Sequence, residues 1–503
     1  MRFHQLIKGL KGSLQGAPGD PTLRGVAENS KLVKKGDLFI AVPGAKADGR
    51  EFAKEAVAQG AAALLVEKRA IDGLQVPQFV VPEVRAALAR VAHRFYGAPS
   101  QKVKVIGVTG TKGKTTTTFL IRSLLRSAGQ KTALFGTIAY EVGSKRIEAN
   151  NTTPSALVLA QLLAQARKAG CSWAVMEVSS HALDMGRVKG IEFRGAAFTN
   201  LGRDHLDYHK DFAHYFAAKK RLFTQFPTIR ARVANADDAH GKKLLRALGK
   251  KGVGYGIETP CRYQAKDVDH RPGHIRFSVQ GHPFEAPISG LFNIYNALAA
   301  VAVLRELGFS WTALQRGLEH APAVPGRFEK VNAGQDFTVL VDYAHTSDAL
   351  EQALTAAREI LETPDQKLIS VFGCGGDRDR TKRPLMGRIS AQLADLTVVT
   401  SDNPRTEDPK AILKQIVKGI PAGLQRNGHQ RVFVQQDRGA AIRLALSKAR
   451  AGDLVLIAGK GHETYQILGN KKIHFDDREV AKTILKRLLP RRSEVREARN
   501  KND

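Results

Sequence analysis

Sulfur and tryptophan are scarce in this chain, whose 503 residues hold three cysteines, four methionines and two tryptophans. Cys171, Cys261 and Cys374 stand far apart with no CxxC pair, which excludes a disulfide framework and a zinc site of familiar spacing. No run of about 18 apolar residues occurs, so no membrane insertion is expected. The opening MRFHQLIKGLKGSLQG also lacks the uninterrupted apolar stretch of a signal peptide, and the chain is expected in the cytoplasm. Acidic residues are the minority charge, 48 against 78 Lys and Arg, leaving a net charge of +30. Such a field attracts nucleotides, phosphates and acidic peptides as readily as nucleic acid. There is no basic stripe interleaved with aromatics of the kind that stacks exposed bases, so no nucleic-acid partner is expected.

What is present is enough apolar residue, 43%, to build two to four cores. Residues 1–98 alternate short apolar runs (GDLFIAV, AAALLVE, QFVVP) with amphipathic segments such as EVRAALARVAHRFYG, a small α/β unit. After a linker at GAPSQK, residues 99–326 open with VKVIGVTG, a Gly/Lys/Thr loop and the helical TTTTFLIRSLLRSAG, the strand-loop-helix order of a phosphate-binding unit. Two prolines and a glycine in APAVPGR close this region. Residues 327–503 repeat strand-like runs ending in Gly, Asp or Asn, separated by helical stretches, which predicts a parallel sheet with ligands outside its carboxyl ends.

In GVTGTKGKTTTT, residues 107–118, Gly110 and Gly113 let the backbone approach phosphate oxygens, Lys114 supplies charge, and Thr115 or Thr116 offers a hydroxyl to Mg. Gly107 and Gly113 lie six positions apart, one more than the common P-loop glycines, and Val108 replaces the usual first glycine, so the loop is a variant. Glu177 ends the run SWAVMEV, placed either to hold Mg or as a solvent-facing strand terminus. Asp204, His205, Asp207 and His209 crowd one turn, as metal ligands or as capping residues. Lys219 precedes Lys220 and Arg221, cations that would lower its pKa and permit a carbamate, although spacing alone favours a solvated helix face. Further on, Arg378 follows GCGG and Asp402, Asn403, Pro404 and Arg405 follow LTVVTS. Two guanidinium groups from neighbouring strand ends, with Glu463 of GKGHE, make an amino-acid pocket or a set of loop-tip ion pairs.

The ordered set TGTKGKTT, NTTP, MEVSSHAL, FTNLGRDHLDYH, FNIYNALAA, VPGRFE, VDYAHTSD, FGCGGDRDRTKRPLM, SDNPRTEDP, AGKGHE and FDDRE resembles the Mur ligase family over essentially the whole chain. The resemblance implies an α/β, three-domain architecture: a UDP-substrate domain over 1–98, a central P-loop ATPase domain over 99–326 and a C-terminal Rossmann-like domain over 327–503. It implies ATP-dependent, Mg-requiring ligation of meso-diaminopimelate to UDP-N-acetylmuramoyl-L-alanyl-D-glutamate by a monomer. By the same resemblance Ser30 contacts the uridine nucleotide, and Asn151, Thr152, Thr153, Ser179 and Arg187 hold the muramoyl dipeptide. Gly110, Thr111, Lys112, Gly113, Lys114, Thr115 and Thr116, with Asn293, Asn296, Arg327 and Asp342, bind ATP. Glu177 and His205, with Thr115, ligate Mg, and Lys219 matches the family's carbamylated lysine. Arg378, the residues 402–405, Gly459 and Glu463 match the diaminopimelate site. Lysine-adding or folylpolyglutamate-type ligases would share the ATP apparatus but lack the paired arginines and NTTP, and lysine offers no distal carboxylate to clamp. Met185 and Gly186 stand where relatives often carry a polar residue.

Overall fold

The polar turns of a parallel sheet gather at one edge, and both units of this chain are built on that rule. The computed structural model describes residues 1–44, 47–271, 273–426 and 431–499. It divides into Met1–Ala265 with Tyr295–Gly317, and Lys266–Ile294 with Leu318–Asp503.

The first unit holds two sheets. The N-terminal one runs Ser13–Gly16, Pro77–Val81, Ala63–Glu67, Asp37–Ile40, Gly25–Ala27, parallel except for its first strand. Its inner residues, Leu38, Ile40, Leu65 and Phe79, pack on Val84, Leu88 and Val91 of the helix Val84–Phe95. The helix Ala156–Lys168 adds Ala156, Leu157 and Ala160 to the same core. At the centre of the second sheet Lys104–Thr109 lies between Trp173–Glu177 and Phe193–Phe198, with Thr132–Phe135, Ala231–Asn235 and Val253–Gly256 outside them, all parallel. The continuous apolar run of Lys104–Thr109 fits its burial on both faces.

In the second unit the main sheet runs Glu329–Lys330, Thr338–Asp342, Leu454–Ala458, Leu368–Phe372, Leu396–Val399, Val432–Val434. All pairs are parallel but the first, as the sequence predicts. One face packs on Leu350, Leu354, Met386, Ile412 and Ile416, the other on Ile442, Leu446, Ile484 and Leu485. The basic tail begins within the helix Asp477–Arg499, and its last residues, 500–503, lie outside the described residues.

Three hairpins escape the sequence reading: Ala139–Val142 with Lys145–Glu148, Ile275–Val279 with His282–Ala286, and Tyr465–Leu468 with Lys471–His474. Each turns over two residues that include a glycine at positive φ (Gly143, Gly281, Gly469), a local signal that the search for longer apolar runs overlooks.

Candidate active site

The phosphate loop leaves the carboxyl end of Lys104–Thr109 and enters the helix Lys114–Ser127. Gly110 (φ 152°) and Gly113 (φ 81°) are required by their neighbours: a Cβ would lie 1.8 Å from Thr199 Oγ1 and 2.3 Å from Asn296 Oδ1 respectively. No side chain caps this helix, so its first amides and dipole face the loop. Neighbouring residues pin the loop from outside. Lys112 N donates to Asn200 Oδ1 (2.9 Å), Thr199 Oγ1 donates to Lys112 O (2.6 Å), and Thr111 Oγ1 pairs with the Tyr215 hydroxyl (3.2 Å). Thr117 Oγ1 donates to Asn296 Oδ1 (3.2 Å), which ties the expected nucleotide residue Asn296 to the loop's helix. Lys114 Nζ folds back on the carbonyls of Gly110 (3.0 Å) and Thr111 (2.8 Å).

Glu177 is 1% exposed, so it is no solvent-facing terminus. It accepts from Thr115 Oγ1 (3.0 Å), Thr137 N (2.8 Å) and Thr137 Oγ1 (3.1 Å). The solvated-face reading of Lys219 is likewise corrected. Lys219 is 1% exposed, its Nζ donates to Gly110 O at 2.8 Å and lies 4.5 Å from the Tyr215 ring centre. Burial, and then the Lys114 ammonium, hold its pKa well below the ordinary lysine value; Lys220 and Arg221, invoked from sequence, are not the cause. Two lysines from different elements thus share the carbonyl of Gly110.

The His and Asp turn splits in two. His209 is buried with Nε2 2.9 Å from Ser180 Oγ, a satisfied core side chain. His205 (φ 53°) is half-exposed, 3.5 Å from the Asp204 carboxylate, its ring 4.8 Å from that of His181 and 6.3 Å from that of Tyr215. Among the described residues no group of three or more His, Cys, Asp or Glu could hold a metal ion. The Asp207 side chain lies outside the described residues.

The NTTP segment is sewn to the strand that carries Glu177. Thr153 Oγ1 donates to Glu177 O (2.9 Å) and accepts from Ser179 N (2.9 Å), while Arg187 Nη1 donates to Thr153 O (3.1 Å). Thr152 Oγ1 meets Thr137 Oγ1 at 3.1 Å, and the Tyr140 hydroxyl donates to Asn151 O at 2.5 Å. Met185, at the departure from the family pattern, sets its sulfur 3.4 Å from Arg187 Nη2. Ser30 is buried at the start of a turn capped by Asn29, between the strands Gly25–Ala27 and Asp37–Ile40 of the N-terminal sheet. Thr137, Asn200 and Tyr215 were not singled out from sequence, though each follows or faces a strand end that was.

The other expected residues belong to the second unit. Asp342 accepts from Phe328 N (2.9 Å) and Ala344 N (2.8 Å), the Arg327 guanidinium lies 4.7 Å from the Tyr343 ring centre, and Asn293 Nδ2 donates to Ser289 O (2.8 Å). Past the ends of Leu368–Phe372, Leu396–Val399 and Leu454–Ala458, the amino-acid site residues come together. Arg405 Nη1 donates to Gly376 O (2.8 Å), in the loop that carries exposed Arg378, and the peptide of Pro404 runs against Gly376. Asn403 Nδ2 donates to Glu463 Oε2 (2.8 Å), and Asp402 lies against Gly459. Burial pushes the Glu463 carboxyl up although Lys460 Nζ stands 3.2 Å away.

Beneath these loops is an ion pair that sequence reading missed. Arg383, fully buried, donates from Nη1 and Nη2 to the two carboxylate oxygens of Glu407, 2.9 Å each, and from Nη2 to Gly375 O (3.1 Å). Glu407 Oε1 accepts from Asp377 N (2.6 Å), and the Asp377 carboxylate in turn accepts from Thr406 N and Oγ1.

The comparisons with known proteins agree with this layout. Family models described as Mur ligase family, catalytic domain; Mur ligase middle domain; and Mur ligase, glutamate ligase domain match residues 22–96, 108–304 and 326–461. The UDP-N-acetylmuramoyl-L-alanyl-D-glutamate–2,6-diaminopimelate ligase of Syntrophomonas wolfei is 44% identical over 97% of this chain and 99% of its own. That of Gloeobacter violaceus is 47% identical over 96% and 98%. A solved structure of a ligase of the same name aligns over 92% of this chain and 94% of its own, with 34% identity and a TM-score of 0.67. With three domain models in order and relatives this similar along its full length, the chain belongs to the Mur ligase family.

Proposed function

We propose that this chain joins meso-2,6-diaminopimelate to UDP-N-acetylmuramoyl-L-alanyl-D-glutamate, cleaving ATP to ADP and phosphate, in the cytoplasmic synthesis of peptidoglycan precursors. The observation that carries the amino-acid assignment is the pair Arg378 and Arg405, which meet at Gly375, on adjoining loops beside Glu463: two guanidinium groups suit two carboxylates, and a half-buried carboxylate suits an ammonium. The names of the relatives point the same way. No helix among the described residues is long and apolar enough to cross a membrane. We take the enzyme as a monomer. Its domains are 1–98 for the UDP-substrate, 99–326 for ATP and 327–503 for the incoming amino acid.

Thr115 and Glu177 fit a Mg ion by donor chemistry, since a hydroxyl and a carboxylate, both hard oxygen donors, already meet at 3.0 Å beside the phosphate loop. Mg bound there, with a carbamylated Lys219 and His205 as further ligands, would offset charge on the transferring phosphoryl group. The chain's own groups do the positioning. The loop amides of 110–116 and Lys114 hold the terminal phosphates in line with the glutamyl γ-carboxylate. That carboxylate oxygen attacks the γ-phosphorus, the bond to the β-phosphate oxygen breaks, and ADP leaves an acyl phosphate. Arg378, Arg405 and Glu463 orient the diaminopimelate amine; it attacks the acyl carbon, loses a proton, and phosphate departs as the amide forms.

Phosphate release with UDP-N-acetylmuramoyl-L-alanyl-D-glutamate, ATP and Mg is expected with meso-diaminopimelate and not with L-lysine, the tripeptide product being read by mass. Turnover with lysine alone would overturn the specificity, and none with either would overturn the reaction. Arg405→Ala is expected to raise the KM for diaminopimelate on the order of 10- to 100-fold with the KM for ATP little changed, the loss of a charge-assisted clamp. Equal effects on both constants would remove Arg405 from the amino-acid site. For Lys219, protein equilibrated with ¹³C-bicarbonate is expected to show one carbamate resonance that Lys219→Ala lacks. A spectrum identical in the two proteins would sink the carbamate.

A further inference from the structure

The first unit carries a basic groove that the ligation chemistry leaves unused. The segment HGKKLLRALGKKG, residues 240–252, holds five Lys and Arg, and no acid occurs from Ala239 to Ile257. It folds as the helix Ala239–Leu248 and a short turn Gly249–Lys251. Leu244, Leu245 and Leu248 face the sheet core, which sends the cations outward. Between this helix and the stretch Thr259–Arg262 lies a groove of about 670 Å³, within the range of roughly 300 to 1,000 Å³ of small-molecule sites. Its charged lining is Lys242, Arg246, Lys250 and Arg262, without a carboxylate.

Three nearby acids are already engaged. Asp238 accepts from His240 N, Gly241 N and Leu201 N, and Asp237 from Ile257 N, Glu258 N, Thr259 N and the Tyr295 hydroxyl. Glu306 takes Arg262 and the Tyr263 hydroxyl. Among the described residues Lys242, Arg246 and Lys250 have no ion-pair partner. Three cations around one concavity whose lining holds no carboxylate, with Asp237, Asp238 and Glu306 engaged elsewhere and Glu258 exposed beside Thr259, concentrate positive potential where a compact multivalent anion fits. We propose that this groove binds an oligophosphate group, either free inorganic polyphosphate or the phosphate chain of a nucleotide, separately from the ATP used in ligation.

Cys261 lines the groove and is half-buried, whereas Cys171 and Cys374 are buried, so the chain carries its own reporter. Alkylation of Cys261 by neutral iodoacetamide, assigned by mass spectrometry on the full-length protein, is expected to slow several-fold with sub-millimolar tripolyphosphate but not with sulfate at equal ionic strength. In the variant Lys242→Gln/Arg246→Gln/Lys250→Gln, half-protection is expected to need at least about tenfold more tripolyphosphate, three charge contacts being lost, with ligase turnover unchanged. Cytidine triphosphate protecting at lower concentration than tripolyphosphate would name a nucleotide as the ligand, and the reverse order free polyphosphate. No protection at millimolar tripolyphosphate, equal protection of the variant, or protection by single-stranded oligodeoxythymidine alone would overturn the proposal. Because Cys261 reports only on its own groove, these outcomes are independent of whether the ligation assignment holds.

Discussion

Lys114→Ala is expected to lower kcat by about three orders of magnitude or more while the UDP-substrate still binds, because phosphoryl transfer relies on positioning and charge rather than on covalent help from the protein. In the structure the Lys114 ammonium rests on the carbonyls of Gly110 and Thr111, bonds to neutral acceptors that a polyphosphate would outcompete. The truncation removes a cation from the loop without touching the buried apolar face of the helix Lys114–Ser127, so Tm should move by only a few degrees. Lys114→Arg keeps the charge but not its shape, and is expected to recover only part of the rate. Single-turnover phosphate release, with UDP-substrate binding measured by calorimetry, checks both statements. Near-normal turnover of Lys114→Ala would mean that this loop does not hold ATP.

The second large effect concerns the Arg383–Glu407 pair. Removing Glu407 strands the charge of the fully buried Arg383, which costs about 3–5 kcal/mol. Glu407 is part-exposed and keeps Arg380 and Asp377 N, so loss of Arg383 acts more through the space it leaves in the core. Arg383→Ala and Glu407→Ala should each lower Tm by many degrees, more than any exposed ion pair in this chain. Replacing both, as Arg383→Met/Glu407→Leu, is expected to restore much of the stability but not the diaminopimelate KM, since the apolar pair no longer bonds Gly375 O or Asp377 N, in the loop that carries Arg378. Arg383 and its companions hold the Glu407 carboxyl down to about 2, below its ordinary 4.5. A carboxylate with a depressed native pKa contributes stability above its unfolded value and loses it as pH falls from about 4.5 toward 2. The acid limb of a Tm–pH profile should therefore be shallower in the double variant than in the native chain, and identical limbs would refute the brace.

Which parts of this were legible beforehand follows from how local each signal is. The strands of both units were readable because continuous apolar runs ending in polar turns are signals a few residues long. The phosphate loop was readable because glycine is demanded by the backbone itself. Lys219 was misjudged from its neighbours in sequence, yet the helical period carried the answer. Tyr215, Leu222 and Phe223 lie four before, three after and four after it, on the buried stripe of Phe212–Thr224. The Arg383–Glu407 brace spans 24 residues and joins the first turn of the helix Lys382–Leu393 to the loop that follows Leu396–Val399, and nothing in either segment announces the other. Thr137 was invisible for a related reason: its role depends on which strand lies beside Thr132–Phe135, a fact of topology rather than of composition.

That threonine sets a thermodynamic condition on the site. Its hydroxyl touches Thr152, in the segment assigned to the dipeptide, and Glu177, assigned to the metal and nucleotide. One rotor cannot be reoriented for one ligand without altering its bond to the other. Whatever factor dipeptide occupancy applies to nucleotide affinity through this hydroxyl, nucleotide occupancy must return to the dipeptide in equal measure.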